Sequence, residues 1–236
     1  MSASLLTLLV LPAIYAAFGP RTRASKTLSR LGAVMTRPVL AFVLLVVFYA
    51  VAFGLRTWQH LRTTGSTGFH GISGRPGSAE WCGGVLFVVG IVLSLLAALG
   101  ETQGWLAPLW QPGPYGVAAG AAVTLAGILS TYVAQVSMGS AWRVGVREDE
   151  RTQLVTGGPF TVVRNPIFSC MLLTATGLVV LLPNVLSVAA LACLFAAVEL
   201  QVRFVEEPYL LRTHGQHYRD YAGRVGRFFP GFGRLN

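Results

Sequence analysis

The residues best suited to chemistry in this 236-residue sequence stand at the mouth of an apolar run. In the segment "GPFTVVRNPIF" (158–168), Arg164 and Asn165 precede Pro166, which is a favoured first residue of a helix. A helix N-terminus beside a guanidinium is suited to binding a carboxylate, because the helix dipole and bidentate hydrogen bonds act together. In the alternative interpretation, Asn165 only caps the helix and Arg164 extends to lipid head groups.

A second group of ionisable residues lies in "AAVELQVRFVEEPYLL", at the end of the last apolar run. Glu199 and Arg203 are four residues apart, a spacing that predicts an ion pair on one helical face. Glu206 and Glu207 follow, and ionisable residues at the end of a membrane span are functional candidates. An acid here could receive the ammonium of an amino-acid-like ligand whose carboxylate meets Arg164.

The tail "RTHGQHYRDYAGRVGRFFPGFG" is too polar to span a membrane and rich in aromatic residues. Tyr218 and Tyr221 are three residues apart beside His217, so one face of a short helix could cover a site at the membrane surface. The alternative is an amphipathic helix that lies in the interface.

The elements that position these residues are predicted to be membrane helices. The chain is 53% hydrophobic and 11% charged, whereas about a quarter of a typical soluble domain is charged. The sequence therefore predicts an all-α integral membrane protein with about six transmembrane helices. Pro183 and Asn184 predict a turn that joins the last two spans as a tight helical hairpin. The predicted spans are 5–18, 38–55, 81–99, 116–136, 167–182 and 185–202.

Sidedness follows from the eighteen basic residues. Thirteen of them fall in 56–80, 137–166 and 203–236, and five fall in 19–37. The positive-inside rule places the thirteen in the cytosol of a cytoplasmic (inner) membrane, although the five beside the first span oppose this orientation. The first segment is expected to remain as an anchor and not as a cleaved signal peptide. The net charge of +9 is assigned to arginines at lipid head groups, with no nucleic-acid partner.

Cysteines and histidines predict no metal site. Cys82, Cys170 and Cys193 each fall in an apolar run without CxxC spacing and are expected to be small core residues. His60 and His70 have no partner at ligand spacing, and we expect both to be solvated loop residues.

"LVTGGPFTVVRNPIF", a hydrophobic hairpin and "RFVEEPYLLRTHGQHYRDYAGRVGRFFP", in that order, resemble the isoprenylcysteine carboxyl methyltransferase family and its phospholipid N-methyltransferase relatives. The resemblance covers roughly residues 135–230. It implies a membrane enzyme that binds S-adenosylmethionine at the cytosolic interface, in a pocket closed by the C-terminal segment. Residues 1–115 would then form an anchor or substrate tunnel, and residues 116–236 the methyltransferase-like core.

Carried over position by position, the resemblance implies two catalytic residues, Arg164 and Glu207. Arg164 would position a carboxylate of the cofactor or the acceptor, and Glu206 or Glu207 would hold the cofactor ammonium. Asn165 replaces a histidine of the family pattern, and His214 stands where the tail usually has phenylalanine. The implied cofactor-binding residues are Leu154, Val155, Gly157, Pro159, Phe160, Asn165, Pro166, Phe168, Glu206 and Tyr218.

The acceptor is predicted to be lipophilic and to carry a carboxylate, thiol, hydroxyl or amine. It would enter from the bilayer at the end of the fourth predicted span, where Gln135, Met138, Trp142 and Arg143 lie. One alternative is an NADPH-dependent reductase of the sterol-reductase type, although no dinucleotide glycine fingerprint is evident. The other is a non-enzymatic transport or scaffold protein, although the polar residues crowd one membrane face instead of the midplane.

Overall fold

The structure, a computed structural model, describes residues 36–68, 71–72, 74–142 and 153–235. Within this part of the chain every regular element is a helix, which confirms the predicted all-α class. The predicted first span at 5–18 lies outside the described residues, and so do His70 and Arg143.

The first described helix is longer than the sequence predicts. Helix α1 (Arg37–Tyr49) continues through a π-helical segment (Ala50–Leu55) into α2 (Arg56–Thr64). It ends at Gly65, whose φ of 75° is the left-handed conformation that glycine supplies at a helix C-terminus. The helix therefore continues nine residues beyond the predicted span 38–55, because the polar residues after that span extend the helix instead of opening a loop.

Two further helices are long and apolar. Helix α3 (Ala79–Thr102) begins at Ser78, whose hydroxyl accepts a hydrogen bond from the Trp81 backbone N–H at 3.2 Å. Helix α4 (Pro114–Ser137) has proline in its first turn and is followed by a short 3₁₀ turn (Gly139–Ala141).

The predicted break between the last two apolar runs is confirmed. Helix α5 (Pro166–Leu181) ends three residues before α6 (Val185–Leu200) begins. Asn184 caps α6 in a capping box with Ser187, so side-chain hydrogen bonds fix where the second helix starts.

Helix α6 continues beyond the membrane. A second π-helical segment (Gln201–Glu206) leads directly into α7 (Glu207–Arg224). The helical stretch Val185–Arg224 has 40 residues, and its part before Gly215 is already about 45 Å long, more than the hydrocarbon thickness of about 30 Å. The stretch is therefore longer than a span requires, and its polar part is α7. Gly215, at φ 53°, kinks α7.

Four helices are long and apolar enough to cross a membrane: 37–64, 79–102, 114–137 and 185–224. Helix α5 is apolar but shorter, at 16 residues. The integral membrane class is thus supported, whereas six spans are more than the described residues contain.

Small residues bring two pairs of helices into close contact. A Cβ atom on Gly177 of α5 would lie 2.5 Å from the backbone nitrogen of Thr124 in α4. In the same way, a Cβ on Gly90 of α3 would lie 3.3 Å from the Ala190 carbonyl oxygen in α6. Close backbone approach through glycine is a common way to pack helices in membranes, where lipid supplies no hydrophobic drive between them.

Replacing Gly177 with alanine is expected to destabilise the protein, because the added methyl group overlaps the backbone of α4. We expect a loss of about 1–3 kcal/mol, as for other overpacked sites, measured as a lower thermal-unfolding midpoint in detergent. Gly54 is the matched control, since its Cβ would meet nothing within 4 Å. A Gly177→Ala variant as stable as Gly54→Ala would contradict the packing described here.

The helix ends opposite the candidate site are joined by a polar cluster. Arg37 donates a 2.5 Å hydrogen bond to the Leu181 carbonyl oxygen and pairs with Glu101. The Asn184 side-chain amide donates to Glu101 at 3.0 Å. These contacts fix the turn between α5 and α6 against α1 and α3.

Candidate active site

The C-terminal segment docks against the residues that precede α5. The Arg164 backbone N–H donates to the Gly226 carbonyl oxygen at 2.8 Å, beside a parallel bridge between Val163 and Gly226. The Asn165 backbone N–H donates to the Arg227 carbonyl oxygen at 3.1 Å. Position 226 requires glycine, because a Cβ there would lie 2.1 Å from the Phe229 carbonyl oxygen.

The Arg164 side chain holds this segment from inside. It is 5% exposed and donates to the carbonyl oxygens of Ala222, Val225 and Gly233 at 2.9, 2.6 and 3.0 Å. Its Nη2 also donates to Glu207 Oε1 at 2.5 Å. The alternative in which Arg164 extends to lipid head groups is therefore wrong.

Glu207 lies between two guanidinium groups. Arg227 donates to both of its carboxylate oxygens at 2.8 Å, while Arg164 contacts Oε1. Burial opposes ionisation of Glu207, but the hydrogen bonds from Arg227 and Arg164 outweigh it and lower the carboxyl pKa. For Arg227, the hydrogen bond to Glu207 raises the pKa and burial lowers it. The hydrogen bond has the larger effect, so the pKa of Arg227 is raised. The trio therefore keeps a net charge of +1.

One donor of this trio is left over. Arg164 Nε is buried and makes no well-formed hydrogen bond among the described residues, although the Tyr218 hydroxyl interacts with the Arg164 guanidinium. A buried N–H without an acceptor is unfavourable, so the site suits a ligand that brings an anionic oxygen. A carboxylate group fits this requirement.

Asn165 does not cap α5. It occupies the N-cap position without a side-chain cap bond, and its amide instead donates to the Arg227 carbonyl oxygen at 3.1 Å. One turn later, the Ser169 hydroxyl donates to the Phe228 carbonyl oxygen at 2.8 Å. The alternative in which Asn165 only caps α5 is therefore wrong, because its side chain attaches the C-terminal segment instead.

The two tail tyrosines lie on the buried face of α7, as their spacing predicts. The Tyr221 hydroxyl donates to the Phe160 carbonyl oxygen at 2.6 Å, and burial raises the pKa of Tyr221 to about 12. Tyr218 is 2% exposed and its ring centroid lies 6.2 Å from that of Tyr221. Leu154 packs against this pair. Helix α7 therefore covers the segment before α5.

The other residues assigned to the cofactor lie around the place where α7 and the C-terminal segment contact the residues before α5. Pro159 and Phe160 belong to a 3₁₀ turn (Gly158–Thr161) that Gly157 precedes. Phe168 points to a different region, since it packs near Val198 and Phe228. Val155, Pro166 and Glu206 lie on the flanking segments: before the turn, at the start of α5 and before Glu207.

The residues assigned to the acceptor lie at the end of α4. Gln135 and Trp142 are buried and Met138 is half-buried. The end of α4 adjoins the 3₁₀ turn before α5, since a Cβ on Gly158 would lie 3.8 Å from the Ser137 hydroxyl oxygen.

His60 is not a solvated loop residue, and that prediction was wrong. It is 4% exposed, and its ring centroid lies 5.4 Å from that of Trp142. The cause is the continuation of α1 into α2, which places Arg56 and His60 one turn apart against the end of α4. The predicted pair of Glu199 and Arg203 is present, with the Arg203 side chain half exposed.

Sequence reasoning missed Arg227 and Arg56. The glycines around Arg227 in "GRVGRFFPGFG" signalled close backbone packing, but not the carboxylate that Arg227 would meet. Arg56 directly follows an apolar run, where snorkelling to lipid is the usual expectation. Each of Arg56 and Glu207 follows a π-helical segment, a feature that often occurs at functional sites.

Lowering the pH is expected to remove the stability that Glu207 contributes. Its folded-state pKa lies below the ordinary value of 4.5, so this contribution is present above that value and is lost as the pH falls through the folded-state pKa. We expect Glu207→Gln to be about 3 kcal/mol less stable than wild type at pH 7, with a smaller gap at pH 3.5. Denaturant unfolding at both pH values measures it.

Asp220 supplies the control for this experiment, because it is exposed and accepts a 2.7 Å hydrogen bond from the exposed Gln216 side chain on α7. Asp220→Asn should match wild type at both pH values. A Glu207→Gln gap that is the same at pH 7 and pH 3.5 would contradict an ionised, paired Glu207.

Comparison with known proteins matches the part of the chain that holds Arg164 and Glu207, and it ends before Arg227. Residues 115–217 match the family model described as phospholipid methyltransferase. A segment of 87 residues is 32% identical to protein-S-isoprenylcysteine O-methyltransferase B of Arabidopsis thaliana, covering 37% of this chain and 44% of that protein. The resemblance inferred from the sequence is thereby confirmed.

Two other relatives are named as metal-resistance proteins. The chain is 32% identical over 111 residues to the nickel-cobalt-cadmium resistance protein NccN of Alcaligenes xylosoxydans xylosoxydans, covering 47% of the chain and 51% of NccN. It is 29% identical over 99 residues to the cobalt-zinc-cadmium resistance protein CzcN of Cupriavidus metallidurans, covering 42% and 45%. The chain thus matches about half the length of these curated relatives. Within the described residues, no three His, Cys, Asp or Glu side chains cluster as metal ligands would.

Proposed function

We propose, from the match of residues 115–217 to the phospholipid methyltransferase family, that this protein is an integral membrane methyltransferase that uses S-adenosylmethionine. Its acceptor is a lipophilic molecule at the cytosolic membrane interface. The observation that carries the proposal is the buried trio of Arg164, Glu207 and Arg227, with its net positive charge and its unfilled Arg164 Nε.

Arg164 positions a carboxylate in this proposal. Four of its contacts already fix the guanidinium plane, so the remaining Nε–H has a defined direction. Glu207 keeps Arg164 charged and oriented, since both of its carboxylate oxygens already accept from guanidinium groups. Glu206 is the acid of the pair that we assign to the ammonium of the same amino-acid end.

S-adenosylmethionine, when bound, supplies an electrophilic methyl group whose bond to sulfur breaks as the acceptor's lone pair forms the new bond, leaving S-adenosylhomocysteine. The chain's own residues need only align the two partners and exclude water, which accounts for most of the acceleration available to such a displacement. Buried Tyr218 and Tyr221 close the cytosolic side. Asn165, which cannot titrate, orients the C-terminal segment through Arg227.

The acceptor approaches from the end of α4. Gln135, Met138 and Trp142 lie there, beside the turn that precedes α5. A carboxylate acceptor would need no deprotonation, whereas a thiol, hydroxyl or amine would need a base.

The test is isothermal titration of the purified protein with S-adenosylhomocysteine in lipid nanodiscs. We expect saturable 1:1 binding, and no binding of NADPH at the same concentrations. A demonstrably folded protein that binds NADPH but not S-adenosylhomocysteine would overturn the proposal in favour of a reductase.

A further inference from the structure

An uncharged loop rich in large apolar side chains joins α3 to α4, at the end of the helices opposite the candidate site. This aromatic loop is residues 103–113, "QGWLAPLWQPG", and the sequence carries no charged residue between Glu101 and Arg143. Its largest side chains are exposed: Trp105 is 60% exposed, Leu109 60% and Trp110 50%. Apolar side chains gathered at one exposed place mark a surface that contacts something other than water.

The aromatic loop has a fixed position on the helices. The backbone N–H groups of Trp105 and Leu106 both donate to the Gly100 carbonyl oxygen at 3.1 Å, and a Cβ on Gly100 would lie 2.9 Å from the Trp105 ring. The Leu109 backbone N–H donates to the Pro183 carbonyl oxygen at 2.6 Å. These contacts hold the loop over the turn between α5 and α6.

The backbone of the aromatic loop suits a place that is poor in water. Close to hydrocarbon, a non-helical backbone is tolerated where groups of the protein pair its N–H and C=O groups. Pro108 and Pro112 have no backbone N–H that would need a partner. The loop residues whose backbone N–H groups donate to backbone carbonyl oxygens are Gln103, Gly104, Trp105, Leu106 and Leu109. The loop therefore asks little of the surrounding solvent.

The turn under the aromatic loop lies below the membrane surface, because α5 is shorter than a span. Helix α5 has 16 residues and is about 24 Å long, whereas the hydrocarbon core is about 30 Å thick. Since α5 begins beside the candidate site, the shortfall of about 6 Å falls at its other end. Leu182, Pro183 and Asn184 of the turn are buried. The loop that covers them thus lies at the level of the opposite membrane boundary.

The composition of the aromatic loop favours a lipid interface over a protein partner. A tryptophan ring is apolar and its indole N–H can hydrogen-bond to head groups, so membrane interfaces are enriched in tryptophan and tyrosine. Tyr115, in the first turn of α4 directly after the loop, is 80% exposed. A protein interface, by contrast, has a polar rim, and the loop offers no charged residue for one.

We propose that the aromatic loop inserts Trp105, Leu109 and Trp110 into the head-group interface of the phospholipid leaflet opposite the candidate site. The loop anchors that end of the helices in the bilayer and completes the lipid-facing surface that the short α5 leaves open. This inference concerns a surface at the other end of the molecule from the candidate site and does not depend on the proposed methyltransferase function.

Spin-label accessibility of the protein in phosphatidylcholine nanodiscs tests this inference. A nitroxide at Leu109→Cys is compared with one at Leu129→Cys, exposed in the middle of α4, and one at Arg219→Cys, exposed on α7. The native cysteines are first replaced with alanine, at Cys82, Cys170 and Cys193. Oxygen concentrates in hydrocarbon and a neutral nickel chelate in water, so the ratio of the two accessibilities reports the depth of each label.

We expect the oxygen-to-nickel ratio at position 109 to lie above that at 219 and below that at 129. A ratio equal to that at 219 would place the loop in water, and a ratio equal to that at 129 would place it in the hydrocarbon core. Low accessibility to both reagents would indicate a protein partner, such as a second copy of the chain. Each of these three results would overturn the inference.

A second label guards against a Leu109→Cys protein that fails to fold. Trp110→Cys places the nitroxide on the neighbouring exposed side chain, and we expect the same intermediate ratio there. The thermal-unfolding midpoint of each labelled protein, compared with that of the cysteine-free parent, shows which variants are folded. A folded Trp110→Cys protein whose label has the ratio found at 219 would overturn the inference as well.

Discussion

Replacing Arg164 with alanine is expected to abolish S-adenosylhomocysteine binding and methyl transfer. The substitution removes the donor proposed for the cofactor carboxylate, and it leaves Arg227 as the one ion-pair partner of Glu207 within the described part of the chain. Loss of a charged hydrogen bond together with loss of cofactor orientation should reduce methyl transfer by at least about a hundredfold. Transfer from radiolabelled S-adenosylmethionine to membrane lipid extract measures the rate.

Structural damage must be separated from loss of the cofactor contact. Arg164→Lys retains a charge beside Glu207 but cannot present an Nε–H in the same plane. We expect it to preserve more thermal stability than Arg164→Ala while still losing binding. Arg219 on α7 is exposed, and Arg219→Ala should leave both quantities unchanged. An Arg164→Ala protein that is folded and transfers methyl groups at the wild-type rate would refute the assignment.

The second large effect is expected from deleting residues 225–236. The deleted segment supplies the Val225 and Gly233 carbonyl oxygens to Arg164 and the Arg227 side chain to Glu207. Without these partners, Arg164 and Glu207 face water and lose their fixed geometry. We expect S-adenosylhomocysteine binding to weaken at least about a hundredfold.

The membrane helices should survive this deletion, because the glycine contacts between α4 and α5 and between α3 and α6 do not involve the tail. Far-ultraviolet circular dichroism and monodisperse elution from a sizing column check this. Phe232→Ala is the matched control, because Phe232 is 75% exposed and its backbone carbonyl oxygen, which the substitution keeps, accepts from the Arg227 backbone N–H. Wild-type affinity in the truncated protein would show that the C-terminal segment is not part of the cofactor site.

The contacts within the trio differ from the roles that the sequence predicted for its residues. The sequence predicted that Arg164 binds a carboxylate of the ligand and that Glu206 or Glu207 binds its ammonium, each acting separately. In the structure Arg164 and Glu207 contact each other, and Arg227 completes the set. A preorganised trio of this kind positions the remaining donor without reorganisation when a ligand binds.

Local features of the fold were predictable from the sequence. The break at Pro183–Asn184 follows from turn chemistry that needs no distant partner, and the start of α5 follows from Pro166. The tyrosine face of α7 follows from helical periodicity. The order of the motifs also sufficed for the family resemblance, which the match over residues 115–217 confirms.

The ends of the long helices were not predictable, because hydropathy marks where apolar residues stop and not where the helix stops. Helices α1 and α6 each continue through a π-helical segment into a polar helix, α2 and α7 respectively. This continuation buried His60, which was expected to be solvated, and placed Arg56 against Trp142.

The sequence by itself determined that this is an α-helical membrane protein with its candidate site residues at one end, since composition, apolar run length and turn residues act locally. Only the tertiary structure decided which charges meet. Arg164, Glu207 and Arg227 are separated by 43 and 20 residues along the chain, and ion pairing depends on distance in space. The same holds for Leu109 and Pro183, which meet only because packing brings the loop after α3 over the turn between α5 and α6.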